Sequence, residues 1–377
     1  MRVGILTFFC VPNYGAMLQA YALWHYLEGC GHQIEFIDYA LPNSRRGALW
    51  RCFITRRVSH YREILNNKLQ SYVSYSMTEF SDSAPRTRRL VSHEELCSIG
   101  GDYDALIVGS DQLWNPAWCA KSELGTVMLD FAAPGVKRIS YAVSFGTKKW
   151  PEGWNEEVAG ILLNKMNSIS VRESSGVQLV TSLSARSDAI CLCDPTLLMP
   201  PSFYEELFSG EVRKGRYIFT YYIQHDSWSD DVAEPIEKQI SRMLGIYEKN
   251  SENTRVTGGL SLMASLLGVS GKISVGQWIY RLAHASFVVT NSFHGLIFSL
   301  LFHKPFVAIP ITGRSSGMNE RFESLLSALH LHDRLIPPDD LGRLPEVVLS
   351  RIDWDKVDMW IASERAKAEK FLHEALQ

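Results

Sequence analysis

Little in this chain points outside the class of globular α/β proteins, and the absences do much of the early sorting. No apolar run approaches the ~18 residues that would span a bilayer. The opening residues, Met1 to Phe9, are too short for a secretory leader and lack a small-residue cleavage site; they read instead as a first β-strand. No strong excess of one charge is present: 38 basic against 41 acidic residues leave a net charge of −3, so no global field attracts nucleic acid. No G-x-G-x-x-G or Walker pattern follows the first strand, which disfavours nicotinamide, flavin and P-loop chemistry. Seven scattered cysteines include one close pair, Cys191 and Cys193, without a second Cys/His pair to complete a four-ligand metal site, so core thiols in a reducing compartment are the simpler reading. Low-complexity tracts and short repeats are absent as well.

What remains is a chain of 377 residues with 46% hydrophobic and 21% charged content, long enough for two domains. Strand and helix alternate. Strands are expected at 2–9, 33–38, 104–109, 137–143, 168–172 and 188–193, with helices at 16–29, 155–166 and 174–182. Asp194-Pro195 and Pro200-Pro201 then punctuate the chain. The pattern restarts with strand 216–223, helix 230–244, a short strand near 245–248, helix 276–284, strand 286–290, helix 294–302 and strand 305–309. Helices at 319–330 and 354–376 close it. This predicts two Rossmann-like α/β domains with mainly parallel sheets facing across a cleft: residues 1–197, and 198–377 ending in a long helix. An insertion at 44–93 interrupts the first domain. Its stretch 44–68 carries six arginines and one lysine against Glu63, interleaved with Trp50, Phe53, Ile54 and Tyr61. That stretch either rests on anionic lipid or packs one apolar face on its own domain.

The candidate site residues all lie where strands open onto helices, beyond the carboxyl edge where ligands of open α/β sheets gather. Asn13, Tyr14, Gly15 and Gln19 follow the first strand; Asn13 also suits a helix cap. Ser110, Asp111, Gln112, Trp114 and Asn115 follow the third, a mixture of forked hydrogen-bonding groups and one aromatic face that suits a sugar. Arg172 ends another strand and can present a planar fork to phosphate or carboxylate, with Glu173 as its pair or as support for the helix start. Asn291, Ser292, His294 and Gly295 sit at a helix N-terminus, where backbone N–H groups favour an anion and a histidine can also move a proton. The loop holding Gly313, Arg314 and Ser315 either captures an anion or is simply a mobile turn. Together these loops suggest a small, doubly charged substrate and a hydroxylated partner.

The motifs Asn13-Tyr14-Gly15-Ala16, Gly109 to Asn115, Ser140 to Gly146, Ser170-Val171-Arg172-Glu173, Asp194-Pro195-Thr196 and Thr290 to Gly295 resemble, in order and spacing, the polysaccharide pyruvyltransferase family. The resemblance implies an architecture like that of GT-B glycosyltransferases. It implies phosphoenolpyruvate as co-substrate, no further cofactor or metal, and a pyruvate ketal on a sugar of a surface polysaccharide or its lipid-linked precursor. His294 then matches the catalytic histidine, Arg172 the donor-binding arginine and Arg314 a further basic donor position. One departure stands out: many members carry an arginine two residues before the histidine, where this chain has Ser292, leaving Arg172 or Arg314 to supply the charge. The implied location is the cytoplasm, with 44–68 as the candidate membrane contact. A nucleotide-sugar glycosyltransferase on the same scaffold and a non-catalytic carbohydrate-binding protein are the competing readings.

Overall fold

The computed structural model describes residues 1–11, 13–39, 75–115, 119–209, 215–223, 230–253, 273–312, 317 and 319–377. The candidate lipid-facing stretch 44–68 and Arg314 lie outside the described residues.

Ten strands form two wholly parallel sheets. The first contains β1 (Arg2–Leu6), β2 (Gln33–Phe36), β3 (Ala105–Val108), β4 (Lys137–Val143), β5 (Ser168–Val171) and β6 (Ile190–Cys191), in the order β2-β1-β3-β4-β5-β6. The second contains β7 (Ile218–Tyr222), β8 (Lys249–Asn253), β9 (Phe287–Thr290) and β10 (Phe306–Ala308), in the order β10-β9-β7-β8. Chain direction across the sheet reverses between β1 and β3 in the first and between β7 and β9 in the second, which makes two switch points. Central strands such as Ala105–Val108 and Phe287–Thr290 are buried throughout, as strands covered on both faces must be.

Alternation along the strands builds three layers of core. Val3, Ile5, Ile107 and Ile139 face inward from the first sheet, and Phe219, Tyr221, Val288 and Phe306 from the second, into one shared cluster. Leu106, Val108 and Val143 face a separate cluster outside the first sheet, and Ile218, Phe287 and Val289 another outside the second. The halves therefore do more than face each other across a cleft. Tyr14, at the start of the Tyr14–Gly29 helix, stacks on Trp278 of the Val275–Ala283 helix at 5.2 Å and 12°, an aromatic contact joining the two halves.

Two expectations need correction. The terminal helix Trp354–Leu376, assigned to the second domain, returns to the first sheet. Its stripe Val357, Ile361, Ala368, Leu372 and Ala375 joins the shared cluster, Lys137 Nζ donates to the Ala375 carbonyl at 3.2 Å, and Arg365 donates to the carbonyls of Leu197 and Met199. The strand sought near 245–248 begins at Lys249, because Gly245, with φ +62°, lies just beyond the Asp230–Leu244 helix. Among the described residues, no helix is both long and apolar enough to cross a membrane.

Candidate active site

Four strand ends of the first sheet send side chains to one place. Thr7, after β1, donates its hydroxyl to the Ser110 carbonyl at 2.7 Å, and Gln19 Nε2 donates to Thr7 Oγ1 at 3.0 Å, closing the β1/β3 switch point with internal bonds. Ser110, after β3, donates Oγ to Asp194 Oδ2 at 3.0 Å. Arg172, after β5, donates Nη1 to the same Oδ2 at 2.7 Å and to Ser110 Oγ at 3.3 Å. Asp194, after β6, has its other oxygen held by the backbone N–H and the hydroxyl of Thr196 at 3.1 and 2.8 Å. Burial alone raises a carboxyl pKa, but His294 and Arg172 overcome that and hold Asp194 well below the usual carboxylate range.

The second half supplies the histidine. After β9 the chain turns into the Phe293–Leu301 helix, all nine residues of which are buried. Ser292 caps it, accepting from the Gly295 N–H at 3.3 Å. The imidazole of His294 reaches back to the first half, with Nε2 3.4 Å from Asp194 Oδ2. That approach requires a glycine at position 15, since a Cβ built there would lie within the His294 ring. Arg172 and His294, 122 residues apart by number, thus share one carboxylate oxygen.

Three buried nitrogens in this cluster have no hydrogen-bond partner among the described residues: Arg172 Nε, Arg172 Nη2 and His294 Nε2. Arg172 Nη2 has only the distant Asp111 Oδ1, at 3.9 Å. A second guanidinium stands close by. Arg321, in the first turn of the Glu320–Ala328 helix, has its Cζ 5.1 Å from the Phe293 ring centre, the same separation as Arg172 Cζ. Burial, with Arg172 next in weight, lowers its guanidinium to about 10. Glu173 is also enclosed; burial raises its carboxyl against the opposing pull of Arg172 and Arg321. One Glu173 oxygen accepts from Ser144 Oγ and from the N–H groups of Phe145 and Gly146, so it braces the loop after β4 rather than pairing with Arg172.

The remaining expected residues divide into those near this cluster and those with structural tasks. Asp111 borders it with a φ of +94°, its carboxylate accepting from the Gln112 N–H. Asn13 caps the Tyr14–Gly29 helix through the N–H groups of Gly15 and Ala16. The Tyr14 hydroxyl donates to the Ile273 carbonyl at 3.0 Å. Asn291, expected to bind the donor, instead clamps the second switch point: its amide bonds the N–H and carbonyl of Ile223 at 2.6 and 3.0 Å. Gly295 lets the turn pack closely, since a Cβ there would come 2.5 Å from Thr290 Oγ1. Trp114 offers no face to a sugar. It is 2% exposed, packs against Phe145 and donates Nε1 to the Val127 carbonyl at 2.8 Å. Asn115 donates to Gln112 Oε1, and both are buried.

Sequence reasoning missed two members of the cluster. Asp194 lies in the Asp194-Pro195-Thr196 motif that carries the family resemblance, yet its own signal reads as punctuation before Pro195 and gives it no place in the site, although it follows a strand as Arg172 does. Arg321 has no distinguishing signal, being one more arginine in an amphipathic helix.

This convergence fits the sequence comparison. The profile of a family described as polysaccharide pyruvyl transferase matches residues 13–312, a span that contains Arg172, Asp194 and His294. The chain belongs to that family. None of the individually curated proteins matches it in sequence. Among solved structures, the UDP-GlcNAc 2-epimerase of Methanocaldococcus jannaschii is similar over 95% of this chain and 95% of its own, at 9% identity and a TM-score of 0.52, a likeness of fold. More distant are the UDP-GlcNAc 2-epimerase of Neisseria meningitidis (10% identity, 93% and 98% coverage, TM-score 0.44) and the spinosyn rhamnosyltransferase SpnG (11%, 97% and 96%, 0.43). This pyruvyl transferase family member thus has the paired parallel sheets of the GT-B type, with its charged cluster between them.

Proposed function

We propose that the protein transfers the pyruvyl group of phosphoenolpyruvate to two hydroxyls of a sugar, in a surface polysaccharide or its lipid-linked precursor, forming a cyclic ketal and releasing phosphate. The observation that carries this reading is the group of three buried nitrogens without hydrogen-bond partners on Arg172 and His294. Leaving one buried donor unsatisfied costs about 1–3 kcal/mol, and more when it is charged, so three together favour a ligand rich in acceptors. Phosphoenolpyruvate has two anionic groups, and two guanidiniums, Arg172 and Arg321, stand at the ring of Phe293, the residue before the histidine. Arg321 is thereby the candidate for the charge that Ser292 does not provide.

The chemistry follows from those groups. A proton from His294 goes to the methylene carbon of the donor, making the central carbon electrophilic. One sugar hydroxyl adds there and returns a proton to His294. The C–O bond to phosphate then breaks, the leaving anion being stabilised by the guanidiniums and by the N–H groups opening the Phe293–Leu301 helix. A neighbouring hydroxyl adds to the resulting cation and passes its proton to the departing phosphate, closing the ketal. Each turnover converts one donor and one diol into one ketal and one phosphate.

Incubation of the purified protein with a mixture of hexose acceptors and either phosphoenolpyruvate or sugar nucleotides as donor tests this. Phosphate release that depends on both substrates, with a new ketal methyl resonance on the sugar, is the expected result. Consumption of a sugar nucleotide with phosphoenolpyruvate untouched would overturn the reading in favour of a glycosyltransferase.

A further inference from the structure

Asp194 is fully enclosed and bonded on every side in an asymmetric way. Oδ1 is fixed by two bonds from Thr196, and Oδ2 takes the hydroxyl of Ser110, so the carboxylate is held against rotation from both ends. Oδ2 also takes Arg172 Nη1 at 2.7 Å, while His294 Nε2 lies at 3.4 Å without forming a hydrogen bond. The two contacts differ in consequence. Arg172 is pinned by one nitrogen while its Nε–Nη2 edge is buried without a hydrogen-bond partner among the described residues; His294 lies beside the negative charge with Nε2 likewise unpartnered. The other ring nitrogen, Nδ1, packs against Gly15, which leaves Nε2 as the nitrogen to meet a donor.

A fixed anion among cations has two opposing effects on an anionic substrate. It repels the substrate, weakening binding. It also pins the arginine through Nη1 and lies close enough to the imidazole to bias its orientation, and orientation is where transfer rates are made or lost. We infer that Asp194 is a positioning residue, a resident anion that locks Arg172 and His294 for transfer and weakens donor binding in doing so. The inference rests on the pyruvyl-transfer reading for its kinetic part, while the binding part stands without turnover.

The test compares wild type with Asp194→Asn, titrating each with phosphoenolpyruvate and measuring phosphate release with mixed hexoses. The variant should bind phosphoenolpyruvate about 10-fold more tightly, since one nearby negative charge is gone. Its kcat should fall about 100-fold. General damage to the site would weaken both, so tighter binding with slower turnover is the signature. Equal or weaker binding, or a kcat within about 3-fold of wild type, would overturn the inference. Should Asp194→Asn fail to fold, Thr196→Val keeps the charge and removes one anchor of Oδ1. It should lower kcat about 10-fold with donor affinity unchanged; loss of both together, or of neither, would contradict the role. Wild-type protein that binds phosphoenolpyruvate but releases no phosphate with any sugar sinks pyruvyl transfer and leaves the binding comparison standing. Wild-type turnover with unchanged Asp194→Asn binding sinks the role of Asp194 alone.

Discussion

The turn after β3, Gly109 to Asn115, and the turn after β9, Thr290 to Gly295, both set amides, hydroxyls and an aromatic ring at the carboxyl edge of a parallel sheet. Their side chains end in different places. In the first, Trp114 spends its N–H on the Val127 carbonyl and Asn115 bonds Gln112, leaving Ser110 and Asp111 to touch the charged cluster. In the second, Asn291 is consumed by Ile223, yet His294 emerges with Nε2 beside Asp194 and no hydrogen bond among the described residues. Polar residues at a strand end therefore do not by themselves mark chemistry. What separates the two turns is whether the polar atoms are satisfied by the protein's own backbone or left beside an unsatisfied charge.

Substitutions in each turn should differ accordingly. The largest effect belongs to His294→Ala, which should reduce phosphate release about 10³-fold while the protein stays folded. Gly15→Ala comes next. Its methyl would displace the imidazole, and a shift of about 1 Å should cost about 100-fold in kcat. Adding Gly15→Ala to His294→Ala should cost nothing further in activity, a double-mutant cycle that isolates the contact. Trp114→Phe probes the other turn: about 1–3 kcal/mol of stability should be lost with the bond to Val127, and kcat/KM should stay within about 2-fold. A Trp114 variant with normal stability and poor acceptor use would break the distinction between the turns.

The charged cluster also carries a pH signature. The folded-state pKa of Asp194 lies below its unfolded value, so the ionised form stabilises the fold above the unfolded value of about 4. That contribution is lost as pH falls from about 4 toward the folded-state pKa. Thermal melts between about pH 2 and pH 6 should show a steeper acid decline for wild type than for Asp194→Asn; parallel curves would mean that the carboxylate gains nothing from Arg172 and His294.

Periodicity made most of the framework legible in advance. Central strands and buried helices announce themselves: the apolar run before Thr290 and the expected 137–143 strand appear as β9 and β4, and the 354–376 helix has the expected bounds. The edge strand β8, Lys-Asn-Ser-Glu-Asn, has no apolar pattern to fix its position and lies a few residues beyond the expected 245–248. Partnership was harder to read. The stripe of the terminal helix shows that it packs, but not against which sheet. Arg172 and His294 stand out because each lies in a polar motif where a strand opens onto a helix. Asp194 stands in a family motif, but the proline after it makes it read as punctuation rather than a site residue, and Arg321 sits in an ordinary amphipathic helix; neither signal encodes a contact made between the two halves.

The most direct measurement is a crystal structure of the protein with phosphoenolpyruvate bound. The donor should span the Nε–Nη2 edge of Arg172 and Nε2 of His294, with Arg321 near one of its anionic ends and Asp194 still held by Thr196. Phosphoenolpyruvate bound elsewhere, with those three nitrogens facing only protein, would contradict the assignment of this cluster as the donor site.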